Sequence, residues 1–313
     1  SHWYFGDTAG IQFNNYNPTF FLNSNLFLAP EGCAALSNSN GELLYYARPD
    51  YALNQNHDTL ENGSQLNGSF SSTQGALFIP NPIDSSIIYL ITQGGLTHSY
   101  SILRRSESMP MGFIHPSEKN IILATGTTEK TTAVHHKNGK DIWLITRQYL
   151  SDTFNVYRIS ETGIDLQPIT SVLPSDSIFG YNGQLKSSPN GKFIAECLNV
   201  TTAQHPVQAR LYRINDETGQ ISNPIGIVSN TSAHYGAEFS ANSTKLYFSQ
   251  NGSPPMGGGV IQYDLSIYDS AAIENSEYHI VGLGQYSLQI GIDKRIYGSR
   301  TFENEHLSRI ENP

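Results

Sequence analysis

Short runs of apolar and aromatic residues recur along the entire chain, and each has the length and composition of a β-strand. The seven clearest runs occupy residues 3–5, 43–48, 87–92, 141–146, 193–198, 245–250 and 295–300. Their centres follow one another at intervals of 41 to 54 residues. Intervals of that size are typical of proteins built from repeated supersecondary units.

Two further runs accompany these segments, and together they predict a meander of antiparallel strands. One follows after a short connection, at residues 10–13, 51–56, 99–103, 155–159, 209–214, 260–265 and 306–310. The other precedes most units and is rich in small and polar residues, at 31–34, 72–76, 131–134, 184–187, 235–239 and 287–290. Turn-forming residues such as Asn138 and Gly139 stand between the runs, as hairpins require.

The pattern predicts an all-β fold, a seven-bladed β-propeller in which the small-residue runs line the central channel. Residues 3–5 align with the second strand of a blade. Blade one is therefore expected to be incomplete, with ring-closing strands beyond residue 313 or supplied otherwise. Two stacked β-sandwich domains are the alternative, but a sandwich does not repeat one three-strand motif at a steady interval. No linker divides the sequence, so residues 1–313 are expected to form a single propeller domain.

The amino-acid composition supports the all-β fold and limits the classes of partner that the protein can be expected to bind. Of the residues, 11% are aromatic and 14% charged, and the polar remainder is rich in Asn, Ser, Thr and Gly, which are common in turns and loops. Lys and Arg number 18 against 27 Asp and Glu, so a nucleic-acid partner is not expected, because phosphate binding needs clustered positive charge. No stretch approaches the roughly 18 apolar residues of a membrane-spanning helix, so no membrane insertion is expected.

Sequence motifs for catalysis are missing. The chain has no Gly-X-Ser-X-Gly elbow, no Gly-rich phosphate loop ending in Lys-Ser/Thr, no His-Glu-X-X-His and no Cys-X-X-Cys. His135 and His136 are adjacent in a strand-like run, so their side chains point to opposite faces and cannot readily share a metal. Cys33 and Cys197 fall in repeats that are not neighbours, and both are expected to be free. We expect no enzyme activity, no cofactor and no metal site.

Six polar residues lie in or beside the predicted innermost strands and are candidates for a binding site at the channel mouth. They are Glu31, Gln74, Lys130, Lys186, Glu238 and Gln289. One interpretation is a polar pocket on the axis that binds a glycan or a peptide end. The alternative is a water-filled channel whose charges pair with one another. Glu31 and Glu238 could also act across the axis as the two carboxylates that glycosidases use.

Aromatic residues in connecting segments offer another binding route, because flat rings stack on sugars or anchor protein partners. The candidates are Tyr16, Phe20, Phe21, Tyr149 and Tyr181.

Several motifs spread over the chain are shared with one group of proteins. They include Trp-Tyr-Phe-Gly at 3–6, Glu-Gly-Cys-Ala at 31–34, Asn-Gln-Asn-His at 54–57, Tyr-Gly-Ala-Glu-Phe-Ser at 235–240 and Ile-Glu-Asn-Pro at 310–313. In these motifs the chain resembles the amino-terminal propeller of large secreted surface proteins of Bacteroidota. Those proteins often end in gliding-motility-type sorting domains exported by the type 9 secretion system. The resemblance implies a propeller at the cell surface with an adhesive or scaffolding role and no catalytic residues.

The sequence thus predicts a non-catalytic interaction or adhesion module of a secreted, cell-surface bacterial protein. Its partner would be a protein or a glycan, bound through propeller loops or the channel mouth. Two alternatives stay open. A structural subunit of an extracellular filament or of a secretion or motility machine would bury an extended flat contact as part of a larger assembly. A glycan hydrolase or lyase would hold two carboxylates in a deep axial pocket.

Overall fold

The computed structural model describes the chain except for residues 6–7, 15–16, 23–24, 26–28, 30, 175–179, 201–205, 229–232, 251–258, 281–286 and 300–306. The described part is almost entirely β, with one short helix, α1 (Ser270–Asn275), and one 3-10 turn (Pro116–Glu118). No helix in it is long and apolar enough to cross a membrane. The fold divides into two compact units. Unit 1 comprises Ser1–Glu129 and Ile159–Leu166, and unit 2 comprises Lys130–Arg158 and Gln167–Pro313.

Unit 1 contains three antiparallel meanders. The strands of the first are β1 (His2–Tyr4), β2 (Ala9–Asn14) and β3 (Asn17–Leu22). Those of the second are β4 (Ala34–Ser37), β5 (Leu43–Arg48), β6 (Tyr51–Asn54) and β7 (Thr59–Ser64). Those of the third are β8 (Ala76–Pro80), β9 (Ile87–Gly94), β10 (Thr97–Arg104), β11 (Phe113–Ile114) and β12 (Ile121–Thr125). Both β11 and β12 pair with β10, and β11 also makes a parallel bridge to β7 that joins the second and third meanders.

The fourth meander begins near the boundary between the units. Its strands are β13 (Thr127–His135), β14 (Ile142–Gln148), β15 (Thr153–Ser160), β16 (Gly163–Ile164) and β17 (Ile169–Val172). Neighbours in this sheet are β13, β14 and β15, in that order. Residues 153–156 of β15 pair with β17, whereas its last two residues pair with β16.

Unit 2 continues with three further meanders. The fifth has β18 (Leu185–Ser187), β19 (Phe193–Cys197), β20 (Val207–Ile214) and β21 (Ile221–Val228). The sixth has β22 (His234–Phe239), β23 (Lys245–Gln250), β24 (Gly259–Asp264) and β25 (Tyr278–Ile280). The seventh has β26 (Leu288–Ile290), β27 (Ile296–Gly298) and β28 (Ser308–Ile310). All strands in these three sheets pair with their neighbours in chain order.

The predicted repeat is confirmed, because the described residues form seven meanders. The seven apolar runs correspond to β1, β5, β9, β14, β19, β23 and β27. Among the described residues, the first and seventh meanders have three strands each, whereas the fifth and sixth have four.

Two of the predicted innermost strands begin later than expected. β4 starts at Ala34 rather than at residue 31, and β8 starts at Ala76 rather than at residue 72. The reason is a close approach of the two preceding segments. The Gly32 amide donates to the Ser72 carbonyl at 3.0 Å, and a Cβ on Gly32 would lie 2.3 Å from the Gly75 nitrogen. Backbone groups used in this way cannot extend the strand ladders.

The hydrophobic core lies between consecutive sheets, which pack face to face. In unit 1, Phe78 and Leu90 of the third meander pack on Tyr45 and Ala47 of the second. In unit 2 the same arrangement recurs between the fourth and fifth, fifth and sixth, and sixth and seventh meanders. Strand β22 is buried along its whole length, because the sixth sheet packs on the fifth on one face and on the seventh on the other.

Candidate functional site

Three of the six predicted site residues come together on the innermost strands of the fifth, sixth and seventh meanders. We call Lys186, Glu238 and Gln289 the first-strand row. The Lys186 ammonium lies 2.8 Å from Oε2 of Glu238 and donates to Oε1 of Gln289 at 2.7 Å. Glu238 is 1% exposed, and its two carboxylate oxygens accept the amides of Phe239 and Ile290 at 2.9 and 2.8 Å. The row therefore uses its polar groups to join three sheets.

Gln184 plays a similar part and was not among the predicted site residues. Its Oε1 accepts the amide of Ala237 at 3.0 Å and the amide of Leu288 at 3.3 Å. Both amides belong to other innermost strands, so one side chain joins three meanders. Its position just before Lys186, in a run of small and polar residues, was the available sequence signal.

Lys130 lies fully buried in unit 2. Its ammonium donates to the carbonyls of Gly180 and Asn182, the latter at 2.8 Å, and lies 3.8 Å from Oε1 of Glu196. Arg147 is 3.4 Å from the same oxygen, and the Tyr212 hydroxyl donates to the other at 2.6 Å. Burial alone would raise the pKa of Glu196, but the charges of Arg147 and Lys130 hold that pKa below its usual value.

Glu31 and Gln74 both lie in unit 1, in the segments that precede β4 and β8, and both are half-buried. A carboxylate that the sequence did not single out, Glu129, lies beside that region. Its Oε2 accepts both the amide and the hydroxyl of Thr73, at 2.8 and 2.7 Å. Glu238 belongs to unit 2, where hydrogen bonds already occupy both of its oxygens.

Of the aromatic candidates, Tyr16 lies outside the described residues. Phe20 and Phe21 belong to β3 rather than to a connecting segment. Tyr149 and Tyr181 contact each other edge to face, with ring centroids 5.4 Å apart. Both cysteines are free, and the Cys33 thiol donates to the Tyr4 carbonyl at 3.1 Å. Among the described side chains, no group of three His, Cys, Asp or Glu could hold a metal ion.

A concave surface of a different kind lies in unit 1, on the outer strands of the second meander. Its volume is about 430 Å³, which falls within the range of small-ligand sites. We call it the unit 1 groove. It is lined by Asn25, Asp50, Tyr51, Leu53, His57, Thr59, Ser64 and Gln65. Most of these groups are polar and lie at or near the solvent.

The turn between β6 and β7 shapes the groove. Asn54 is buried, and its side-chain oxygen accepts the amides of Asn56 and Asp58 at 2.8 and 3.2 Å. The turn also places His57 in the left-handed region, with φ of 68°. Asn and His tolerate that region better than most residues. Gln65, at the far end of the groove, has φ of 55°.

The His57 ring is held in place from behind by buried aromatic residues. The Tyr46 hydroxyl lies 3.0 Å from Nδ1 of His57, and the Tyr46 and Tyr4 rings contact the imidazole at centroid distances of 5.7 and 5.9 Å. Asn25 closes the arrangement from the other side. Its backbone amide donates to the Tyr46 hydroxyl at 3.2 Å, and its side chain donates to the His57 carbonyl at 2.8 Å.

Asp50 is the one carboxylate among the described residues that line the groove. It forms a two-point pair with Arg48, with Nε and Nη2 each 2.6 Å from a carboxylate oxygen. The Arg48 guanidinium also lies over the Tyr51 ring, 4.7 Å from its centroid. The pair gives this part of the groove no net charge and fixes the carboxylate in one orientation.

None of the predicted site residues lies in the groove, although residues 51–56 were predicted as a strand. The sequence contains only a weak signal for the groove. The groove depends on the left-handed turn and on a contact between Tyr46 and His57, which are eleven positions apart.

Comparison with known proteins gives the fold. No family model matches the chain, and no curated protein matches its sequence. Among solved structures, the periplasmic gluconolactonase PpgL of Pseudomonas aeruginosa is similar with a TM-score of 0.58 at 11% identity, over 97% of this chain and 80% of that one. Hsv2 of Kluyveromyces lactis is similar with a TM-score of 0.50 at 9% identity, over 100% of this chain and 98% of that one.

Likeness at such low identity concerns the fold and not the activity. PpgL is a six-bladed propeller and Hsv2 a seven-bladed one. With the seven meanders of the described residues, the comparison confirms the predicted fold class: the chain is an all-β, seven-bladed propeller.

Proposed function

We propose that this chain is a non-catalytic interaction or adhesion module of a secreted bacterial surface protein, and that the unit 1 groove is its binding site. The observation that carries the proposal is the arrangement of polar groups in the groove. Buried Tyr46 and Asn54 and the half-buried Arg48–Asp50 pair position them, while the outer edges of His57 and Thr59 are left for a partner. Preorganised polar groups on a rigid scaffold are what a binding site needs.

Binding fits the groove better than hydrolysis. A glycosidase uses two carboxylates that flank the scissile bond. Among the described residues that line the groove, only Asp50 is a carboxylate, and it is paired with Arg48. Glu238 of the first-strand row is enclosed and accepts hydrogen bonds on both oxygens. Because only 1% of Glu238 is exposed, a substrate cannot reach its carboxylate.

Blocking the groove tests the proposal. Thr59 is exposed in β7 and lines the groove, whereas Thr19 is exposed on β3 in the first meander and serves as the matched control. The labelled chain would be applied to a printed array of neutral and acidic glycans and to surfaces coated with collagen or mucin. We expect Thr59→Lys to lower binding at least tenfold and Thr19→Lys to leave it unchanged.

Two results would contradict this proposal. Equal binding by both variants would place the partner elsewhere on the chain. Release of new reducing ends from a bound polysaccharide would make the protein an enzyme.

The surface location rests on the sequence resemblance to secreted Bacteroidota proteins associated with type 9 secretion. It predicts that antibodies against this domain label intact cells that produce the full-length protein. Labelling that requires permeabilised cells would contradict it.

A further inference from the structure

The hydrogen-bond chain behind His57 determines which ring nitrogen carries the proton. The Asn25 amide donates to the Tyr46 oxygen, so the single Tyr46 proton is directed to Nδ1 of His57. The reverse arrangement would leave the buried Tyr46 hydroxyl proton without an acceptor among the described residues, which is costly. Burial raises the pKa of Tyr46 to about 12, so the hydroxyl keeps its proton. Neutral His57 therefore carries its own proton on Nε2 and is a donor there.

The remaining lining groups complement this donor. Asp50 accepts hydrogen bonds, while the hydroxyls of Thr59 and Ser64 and the amide of Gln65 can both donate and accept. Because Arg48 balances Asp50, no unbalanced positive charge in the groove attracts an anion or offsets the cost of desolvating it. The Tyr51 ring adds a flat apolar element to the lining. Vicinal hydroxyls with an apolar face beside them are the chemistry that matches this set.

We propose that the unit 1 groove binds a neutral saccharide, with Nε2–H of His57 donating to a sugar oxygen and Asp50 accepting from sugar hydroxyls. The proposal rests on the proposed function and names the ligand class of the same site. His57 is its specificity-determining donor, and Tyr46 is a positioning residue that acts only through His57.

The direct test is calorimetric titration of the chain with cellotetraose, mannotetraose and chitotetraose, and with tetragalacturonate as the acidic counterpart. We expect at least one neutral oligosaccharide to bind and the acidic one to bind at least tenfold more weakly. His57→Gly should lower the affinity for the neutral ligand at least tenfold, since glycine fits the positive φ of that turn without strain. Lys294→Gly is the matched control, because Lys294 has φ of 65° in an exposed turn of unit 2.

A second measurement needs no ligand. Nitrogen-15 shifts of the imidazole should report the Nε2–H tautomer for His57 in the free protein, and Tyr46→Phe should remove that preference while the fold is retained. An Nδ1–H tautomer in the wild-type chain would overturn the proposal.

The outcomes separate this inference from the proposed function. If none of the neutral oligosaccharides binds, but Thr59→Lys abolishes binding to a coated protein or to an acidic glycan, the groove is a binding site and its ligand class is wrong. If a neutral oligosaccharide binds equally to wild type and Thr59→Lys, the groove itself is the wrong site and both proposals fall.

Discussion

The first-strand row and the unit 1 groove are both clusters of polar side chains, but they use their hydrogen-bonding groups in opposite ways. In the row, Lys186 donates to Glu238 and Gln289, and Glu238 also accepts backbone amides from two strands. In the groove, the inner atoms are paired and the outer edge of His57 is not used by the described residues. A polar cluster becomes a binding site only where the framework leaves groups for a ligand.

The largest effect on stability is expected at Glu196, a buried carboxylate of unit 2 that lies close to two buried cationic side chains. Glu196→Gln removes the negative charge that faces Lys130 and Arg147, both of which are buried. Breaking a buried charge pair on one side costs about 3–5 kcal/mol, so the free energy of unfolding in urea should fall by about that amount. Glu217→Gln is the control, since Glu217 is exposed and pairs with Lys137 at the surface. Similar midpoints for the two variants would show that the buried network contributes little.

The pH dependence of stability should show the contribution of the same network around Glu196. Folding lowers the pKa of Glu196 below its ordinary value of 4.5, so its ionisation stabilises the protein above the unfolded-state pKa. That contribution disappears as the pH falls through the folded-state value. The free energy of unfolding of the wild type should therefore decline below about pH 4.5. The decline should be shallower in Glu196→Gln. Parallel pH profiles for the two proteins would contradict the assignment.

The first-strand row should show a smaller stability effect and no effect on binding. Glu238→Gln keeps an acceptor oxygen but leaves the Lys186 charge uncompensated at a site that is mostly enclosed. Leaving one buried partner unsatisfied costs about 1–3 kcal/mol. Thermal or urea unfolding measures this loss, and binding to the same glycan array should match the wild type. Loss of glycan binding in a folded Glu238→Gln protein would move the site to the row.

The groove should show the opposite response, with the smallest change in stability. Thr59 is exposed and donates no hydrogen bond to the described residues, so Thr59→Lys should alter the free energy of unfolding by no more than about 0.5 kcal/mol. Its effect on binding is expected to be at least tenfold. A large destabilisation would mean that β7 contributes more to the fold than its exposure indicates.

The sequence was informative wherever local pattern decides structure. Aromatic and β-branched runs located all seven second strands, because most residues of these strands are buried and such side chains fit a buried pleated sheet. The starts of β4 and β8 were misplaced, because the approach of Gly32 to Gly75 joins segments more than forty residues apart. No local pattern contains that contact.

The candidate site was predictable only in part for the same reason. Lys186, Glu238 and Gln289 were found together because each occupies the same strand of consecutive repeats. The groove was missed because it is assembled from a left-handed turn at His57, which follows β6, and a buried tyrosine, Tyr46, in β5. Polar residues in a turn look alike in sequence, whether or not the fold holds them in place.

The most direct test of the account is to map a bound ligand on the chain. Amide chemical shifts of the nitrogen-15-labelled protein would be recorded during titration with the neutral tetrasaccharide that binds most tightly. The account predicts shift changes at Tyr51, His57 and Thr59, with Lys186 and Gln289 unchanged. Changes centred on Lys186 and Gln289 would contradict it and place the ligand on the first-strand row.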